Sequence, residues 1–175
     1  MISRRKFLRF AAITAAVYPL GAGKVFAFQN TERSLNLYNI HTGESLNTSY
    51  LVSGRHDYEA IEKINRLLRC HYTNEVKAID VRVLDLLSDI KDRIAPDKQL
   101  NIISGYRSPE YNEYLTSLGR HVARNSMHLR GLAVDFAIDG IGTHAIGTVA
   151  RSFASGGVGS YPEFVHIDVG RVRFW

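Results

Sequence analysis

Leu132-Ala133-Val134-Asp135-Phe136-Ala137-Ile138 alternates large apolar residues with small or acidic ones. Successive strand side chains point to opposite sides of a sheet, so Leu132, Val134, Phe136 and Ile138 are expected to face a core. Ala133, Asp135 and Ala137 then face the other way, and Asp135 stands between two alanines with room beside it. Phe164-Val165-His166-Ile167-Asp168-Val169 repeats the pattern. There Val165, Ile167 and Val169 face the core, while Phe164, His166 and Asp168 share the opposite face. Two strands that each present carboxylate or imidazole on the non-core side can build one common site.

The segments around these strands read as short elements of both kinds. Leu35 to Ile40 and Leu46 to Val52 flank His41-Thr42-Gly43-Glu44, a hairpin pattern with a glycine in its turn. A helix is expected from Tyr58 to Arg69, with Asp57 as N-cap and Ile61, Ile64, Leu67 and Leu68 in one apolar stripe. A second is expected from Asp80 to Ile94, where Val83, Leu84, Leu87, Ile90 and Ile94 recur at helical spacing and Pro96 marks the stop. Leu100 to Ser104 reads as a strand leading into Gly105-Tyr106-Arg107, after which Ser108 caps a helix that opens on Pro109 and ends at Gly119. A helix from Thr143 to Ala154 and a glycine loop, Gly156-Gly157-Val158-Gly159, precede the last strand. The expected class is α+β, a small and mostly antiparallel sheet with helices packed around it.

The amino terminus reads as an address. Ser3-Arg4-Arg5-Lys6-Phe7-Leu8-Arg9 is a twin-arginine signal followed by a modestly apolar stretch, and Val25-Phe26-Ala27 ends in the small residue a signal peptidase prefers. The apolar run falls short of the roughly 18 to 20 residues of a spanning helix, so no membrane span is expected after its removal. Residues 28–175 then form one domain, with no repeat or linker to divide them. The first 27 residues carry five basic and no acidic side chains against a net charge of +5 for the whole chain. The mature chain is therefore near neutral, which removes the support for nucleic-acid binding. The single cysteine, Cys70, has no internal partner and reads as a core thiol.

His128, Asp135 and His166 together offer two imidazoles and a carboxylate, a donor set that leaves one position open on zinc. Zinc at such a site lowers the pKa of water to about 7 and polarises a carbonyl. The plain alternative, two ordinary hydrogen-bonded histidines and a turn aspartate, stands at similar weight on spacing alone. His41, His56, His71, His121 and His144 fall in loops or on helices and are weaker ligand candidates. Hydrolysis also needs a base and a cation for the developing oxyanion. Glu163, three residues before His166, and Asp168, on its face, are both candidates for the base. Asp168 also suits an orienting partner of a ligand histidine. Arg107, after a strand and Gly105, is placed to clamp a substrate carboxylate or the oxyanion.

At these residues the chain resembles the zinc metallopeptidases that include the D-alanyl-D-alanine carboxypeptidases, the D-Ala-D-Ala dipeptidases of vancomycin resistance and the Hedgehog amino-terminal domain. The shared pattern Ser-x-His-x-x-Gly-x-Ala-x-Asp, followed later by His, matches Ser126, His128, Gly131, Ala133, Asp135 and His166, and Ser-Gly-Tyr-Arg-Ser matches residues 104–108. Asn39 to Glu44, Gly156 to Gly159, Tyr161-Pro162, Phe164 to Asp168 and Trp175 look like the exported YcbK or MepK-type murein endopeptidases, over nearly the whole chain. The resemblance implies one zinc ion on His128, Asp135 and His166, an active-site arginine at Arg107 and a periplasmic peptidoglycan endopeptidase. It also implies cross-links between diaminopimelate residues as substrate, with D-alanyl cross-links beside them. The dipeptidase branch favours Glu163 as base, and the murein endopeptidases share Asp168; the stretch before Phe164 is about two residues shorter than in the latter. The alternatives are a zinc-stabilised module that binds peptidoglycan without cutting it, and a D,D- or L,D-carboxypeptidase of the same family. An intracellular dipeptidase conflicts with the export signal.

Overall fold

The computed structural model describes residues 31–120 and 122–175, so the expected signal segment and His121 lie outside the described residues. The hairpin forms as β1 (Arg33–Asn39) and β2 (Ser45–Val52), paired antiparallel with Leu37 opposite Leu46. A two-residue strand, β3 (Arg55–His56), extends it. β4 (Leu100–Ser104), β5 (Ala133–Ala137), β6 (Gly157–Ser160), β7 (Val165–Asp168) and β8 (Arg173–Phe174) complete one eight-stranded sheet of order β3-β2-β1-β4-β5-β7-β6-β8.

The chain is α+β, but the expected small, mostly antiparallel sheet is corrected to a large mixed one. β1 pairs parallel with β4, and β6 parallel with β8. The expected glycine loop is also corrected, because residues 157–160 form an inner strand between β7 and β8. Short strands joined by distant pairing leave little local pattern.

α1 (Tyr58–Leu67) starts at Asp57, whose carboxylate accepts from the Glu59 and Ala60 amides. It stops two residues before the expected Arg69. α2 (Val81–Ile94) is capped by Asp80, which accepts from Arg82 N, and it ends before Pro96 as expected. α3 (Pro109–Ser117) starts on Ser108, which accepts from Tyr111 N, and α4 (Thr143–Ser152) follows β5. Replacing Asp57 by alanine removes two bonds to otherwise unpartnered amides. It is expected to lower unfolding free energy by about 1 kcal/mol in a urea titration, with activity retained.

The core lies on one face of the sheet. Leu35, Leu37, Leu100, Ile102, Val134, Phe136, Val165 and Ile167 meet Ile64, Leu68, Leu84, Leu87, Ile90 and Ile146 there, all essentially inaccessible. Cys70 is a buried free thiol, as expected. Val134, Phe136, Val165 and Ile167 point into this core as their alternation requires. Asp135, His166 and Asp168 consequently lie on the other face.

Candidate metal centre

Sheet register brings the candidate ligands together. Asp135 of β5 stands directly opposite His166 of β7, and Ser104 at the end of β4 stands opposite Asp135. Arg107 follows β4 by three residues, so the polypeptide leaving that strand passes the same spot. His128 comes from a single 3-10 turn, Met127–Arg130, which Ser126 caps by accepting from His128 N. The turn closes on Gly131 in the left-handed region, φ 68°, where a Cβ would also stand 2.3 Å from the Ala78 carbonyl oxygen. Arg107 N donates to the His128 carbonyl at 3.2 Å, tying the turn to the end of β4.

Three acceptor atoms converge. His128 Nε2 lies 3.2 Å from Asp135 Oδ1 and 3.2 Å from His166 Nδ1, which is 2.8 Å from the same Asp135 oxygen. The far nitrogens explain why these atoms carry lone pairs. His128 Nδ1 donates to the Gly105 carbonyl at 2.7 Å, and His166 Nε2 donates to Asp168 Oδ2 at 3.1 Å. Each imidazole thus has its hydrogen on the outer nitrogen and a lone pair toward the cluster, the arrangement that orients histidine ligands at metal sites. Two lone pairs and a carboxylate oxygen in mutual contact suit a positive charge between them, a proton or a metal ion. His128, Asp135 and His166, all buried, can therefore hold a metal ion.

The electrostatics agree. Burial alone would raise the Asp135 pKa, but the two imidazoles outweigh it and hold the carboxyl well below the usual range. Burial opposes charge on His166, yet hydrogen bonds to Asp135 and Asp168 raise its pKa above the ordinary value. Arg107 adds positive charge, with Nη2 3.7 Å from Asp135 Oδ2 and Nη1 donating to Asn112 Oδ1 at 3.4 Å. Its Nε is buried and has no hydrogen-bond partner among the described residues.

The two candidate bases differ. Asp168 is wholly buried and saturated. Oδ1 accepts from Gly157 N (3.1 Å) and Gly170 N (2.8 Å), and Arg173 grips both oxygens at 3.3 and 2.7 Å. Its desolvation is outweighed by His166, these amides and Arg173, so its pKa too lies far below the usual range. Glu163 is exposed in the turn between Tyr161 and Phe164, whose rings stack at 4.6 Å.

Arg173 was missed in the sequence. Its only signal there is indirect: Gly157 lies opposite it in the β6–β8 pair, and a Cβ at 157 would come within 2.4 Å of Asp168 Oδ2 and 2.8 Å of Arg173 Nη1. Gly157→Ala is expected to spread this contact, free His166 to rotate and weaken metal binding about tenfold, read by competition with a chelating dye. Trp175, quoted above only for its resemblance, is the other neighbour of the cluster. Its ring centre lies 5.4 Å from that of His166, and Nε1 donates to the Tyr161 hydroxyl at 2.8 Å.

A family profile described as peptidoglycan L,D-endopeptidase MepK matches residues 27–175. The chain belongs to this family. The peptidoglycan L,D-endopeptidase MepK of Escherichia coli K12 is 38% identical over 179 residues, covering 99% of this chain and 97% of the relative. A protein of the same name from Shigella flexneri matches to the same extent. The probable peptidoglycan L,D-endopeptidase MepK of Haemophilus influenzae is 32% identical over 178 residues, covering 99% of this chain and 95% of the relative. No solved structure matches. The kinship expected from the spaced motifs is borne out.

Proposed function

We propose that the protein is an exported zinc peptidase that hydrolyses amide bonds between L and D centres in peptidoglycan cross-links. The observation that carries the chemistry is the convergence of His128 Nε2, Asp135 Oδ1 and His166 Nδ1, with both imidazoles fixed from behind. The substrate class rests on near full-length similarity to relatives named for that activity. Zinc supplies Lewis acidity toward the scissile carbonyl and toward water. His128, Asp135 and His166 would hold it, and this buried, hydrogen-bonded set matches zinc's preference for nitrogen and oxygen donors.

The chain's own groups supply the rest. Gly105 and Asp168 hold the two imidazoles in register. Arg107, with a buried Nε lacking a partner, binds substrate carboxylate or neutralises the oxygen that becomes negative as the carbonyl is attacked. Glu163 takes a proton from the attacking water and returns it to the leaving amine. Asp168 is the orienting partner, since its oxygens are already occupied by five donors.

The protein works beyond the cytoplasmic membrane, reached through its twin-arginine signal. Among the described residues no helix is long and apolar enough to cross a membrane. Incubating zinc-loaded protein with purified muropeptide dimers is expected to convert them to monomers, read by mass. Intact dimers with protein bound to sacculi would replace the enzyme with a binding module.

A further inference from the structure

Beside the metal centre lies an aromatic surface that the hydrolytic chemistry does not use. Tyr72, in the turn after α1, stacks on both Tyr111 and Tyr114 of α3, with centroids 5.0 Å apart and planes within 17° in each case. Tyr111 and Tyr114 are 6.4 Å apart and inclined by 23°. His71 meets Tyr111 edge-on at 4.8 Å and stacks with His41 at 3.9 Å. Burial, with help from His41 and Arg107, pushes His71 down to about 4, so this flank is neutral at ordinary pH.

Two of these rings, Tyr72 and Tyr114, stand outside the core, while Tyr111 is partly buried against it. Tyr72 and Tyr114 remain 47% and 42% exposed, and the only fully buried residue of α3 is Asn112. Helices normally earn their place by burying an apolar face. α3 instead buries Tyr111 only in part and holds Tyr114 outward. The surface also adjoins the reactive centre, because α3 starts two residues after Arg107, and that guanidinium reaches Asp135.

We propose that Tyr72, Tyr111 and Tyr114 form a platform for the pyranose rings of the glycan strand from which a cross-linked peptide hangs. The proposal rests on the peptidoglycan reading of the adjoining site. A tyrosine face carries a negative quadrupole that attracts the C–H groups covering the face of a sugar. Glu75, Glu110 and Glu113 are exposed on the same segments, which disfavours a polyanion. A helix and a turn offer no free strand edge for an extended peptide, which ordinarily binds by strand addition. An uncharged sugar polymer satisfies both conditions.

The test uses the purified protein and two double variants, Tyr72→Ala with Tyr114→Ala, and Tyr72→Phe with Tyr114→Phe. Both positions are exposed, so neither pair should disturb the fold, which circular dichroism verifies. Binding to uncharged N-acetylglucosamine oligomers, which present the same pyranose faces as the glycan strand, is expected to weaken about tenfold in the alanine pair and to persist in the phenylalanine pair. KM is expected to rise for cross-linked dimers carrying sugars and to stay unchanged for the same dimers freed of sugar. Undiminished glycan binding by the alanine pair, or an equal KM rise on both dimers, overturns the platform. Glycan binding is read without cleavage, so a parent that binds the oligomers through these tyrosines yet cuts no dimer refutes the hydrolytic reading alone.

Discussion

Asp135→Asn is expected to strip the protein of zinc and reduce muropeptide cleavage below detection. The carboxylate is the only anion among the three converging donors, and one oxygen serves both histidines, at 3.2 and 2.8 Å. Disturbing a partner outside the ligand set typically costs about 10–100-fold in metal affinity, so neutralising a ligand costs more. Asparagine keeps the shape beside Ala133 and Ala137, which separates metal loss from collapse of the strand. Alanine would be less informative, because it also leaves a cavity in the buried cluster and so mixes metal loss with lost packing. Metal content by mass spectrometry and an unchanged far-ultraviolet spectrum are the deciding measurements. An Asn variant with full zinc would remove Asp135 from the ligand set.

The same cluster sets the pH behaviour of the metal-free protein. His166 has a raised folded pKa, so its contribution is fully present below the unfolded value and is lost as pH rises through the folded one. Asp135 and Asp168 have lowered pKa values, so theirs is present above the ordinary carboxylate range and is lost on strong acidification. Metal-free protein is therefore expected to be most stable at mildly acid pH, where imidazolium and carboxylates coexist. Zinc competes with the His166 proton, so its stabilising effect grows as pH rises. Thermal melts with and without chelator across pH 5 to 8 check this, and parallel curves would contradict it.

How much of this was legible in the chain depends on the distance over which each signal acts. Asp57, Asp80 and Ser108 announce their helices because a cap bonds amides two or three residues away. Strand alternation assigned Asp135 and His166 to the non-core side, and the direct pairing of these two residues makes that assignment sufficient for a site. Alternation did not say that the second side is covered too. Asp135, His128 and Asp168 are all buried, and this comes from the 3-10 turn that carries His128 and from the Arg173 and Trp175 side chains at the end of the chain, which lie against Asp168 and His166. β3 and β8 escaped notice because two residues have no period to read, and β6 because Gly157 and Gly159 leave only Val158 as an apolar side chain to show alternation. Arg173 was unreadable for the same reason, since its approach to Asp168 depends on β8 pairing parallel with a strand that looks like a glycine loop.

Glu163→Gln is expected to lower kcat by about 10²–10⁴-fold while zinc content stays at one ion per chain, the loss typical of removing a general base. Proton transfer needs a carboxylate with a free lone pair and ordinary basicity. Asp168 has neither, being enclosed by Arg173, two amides and His166, with its pKa held far below the usual range. Glu163 is exposed in the turn three residues before His166, within a segment braced by the Tyr161–Phe164 stack. The contrast is Asp168→Asn, which leaves Arg173 without its partner and lets the His166 ring turn. That variant is expected to lose metal affinity about 10–100-fold and to recover much of its activity when zinc is added in excess. Added zinc restores nothing to Glu163→Gln if the missing function is proton transfer. Were the Gln variant active and the Asn variant dead at saturating zinc, the two roles would be exchanged, and the carboxylate behind His166 would be the base in spite of its five donors.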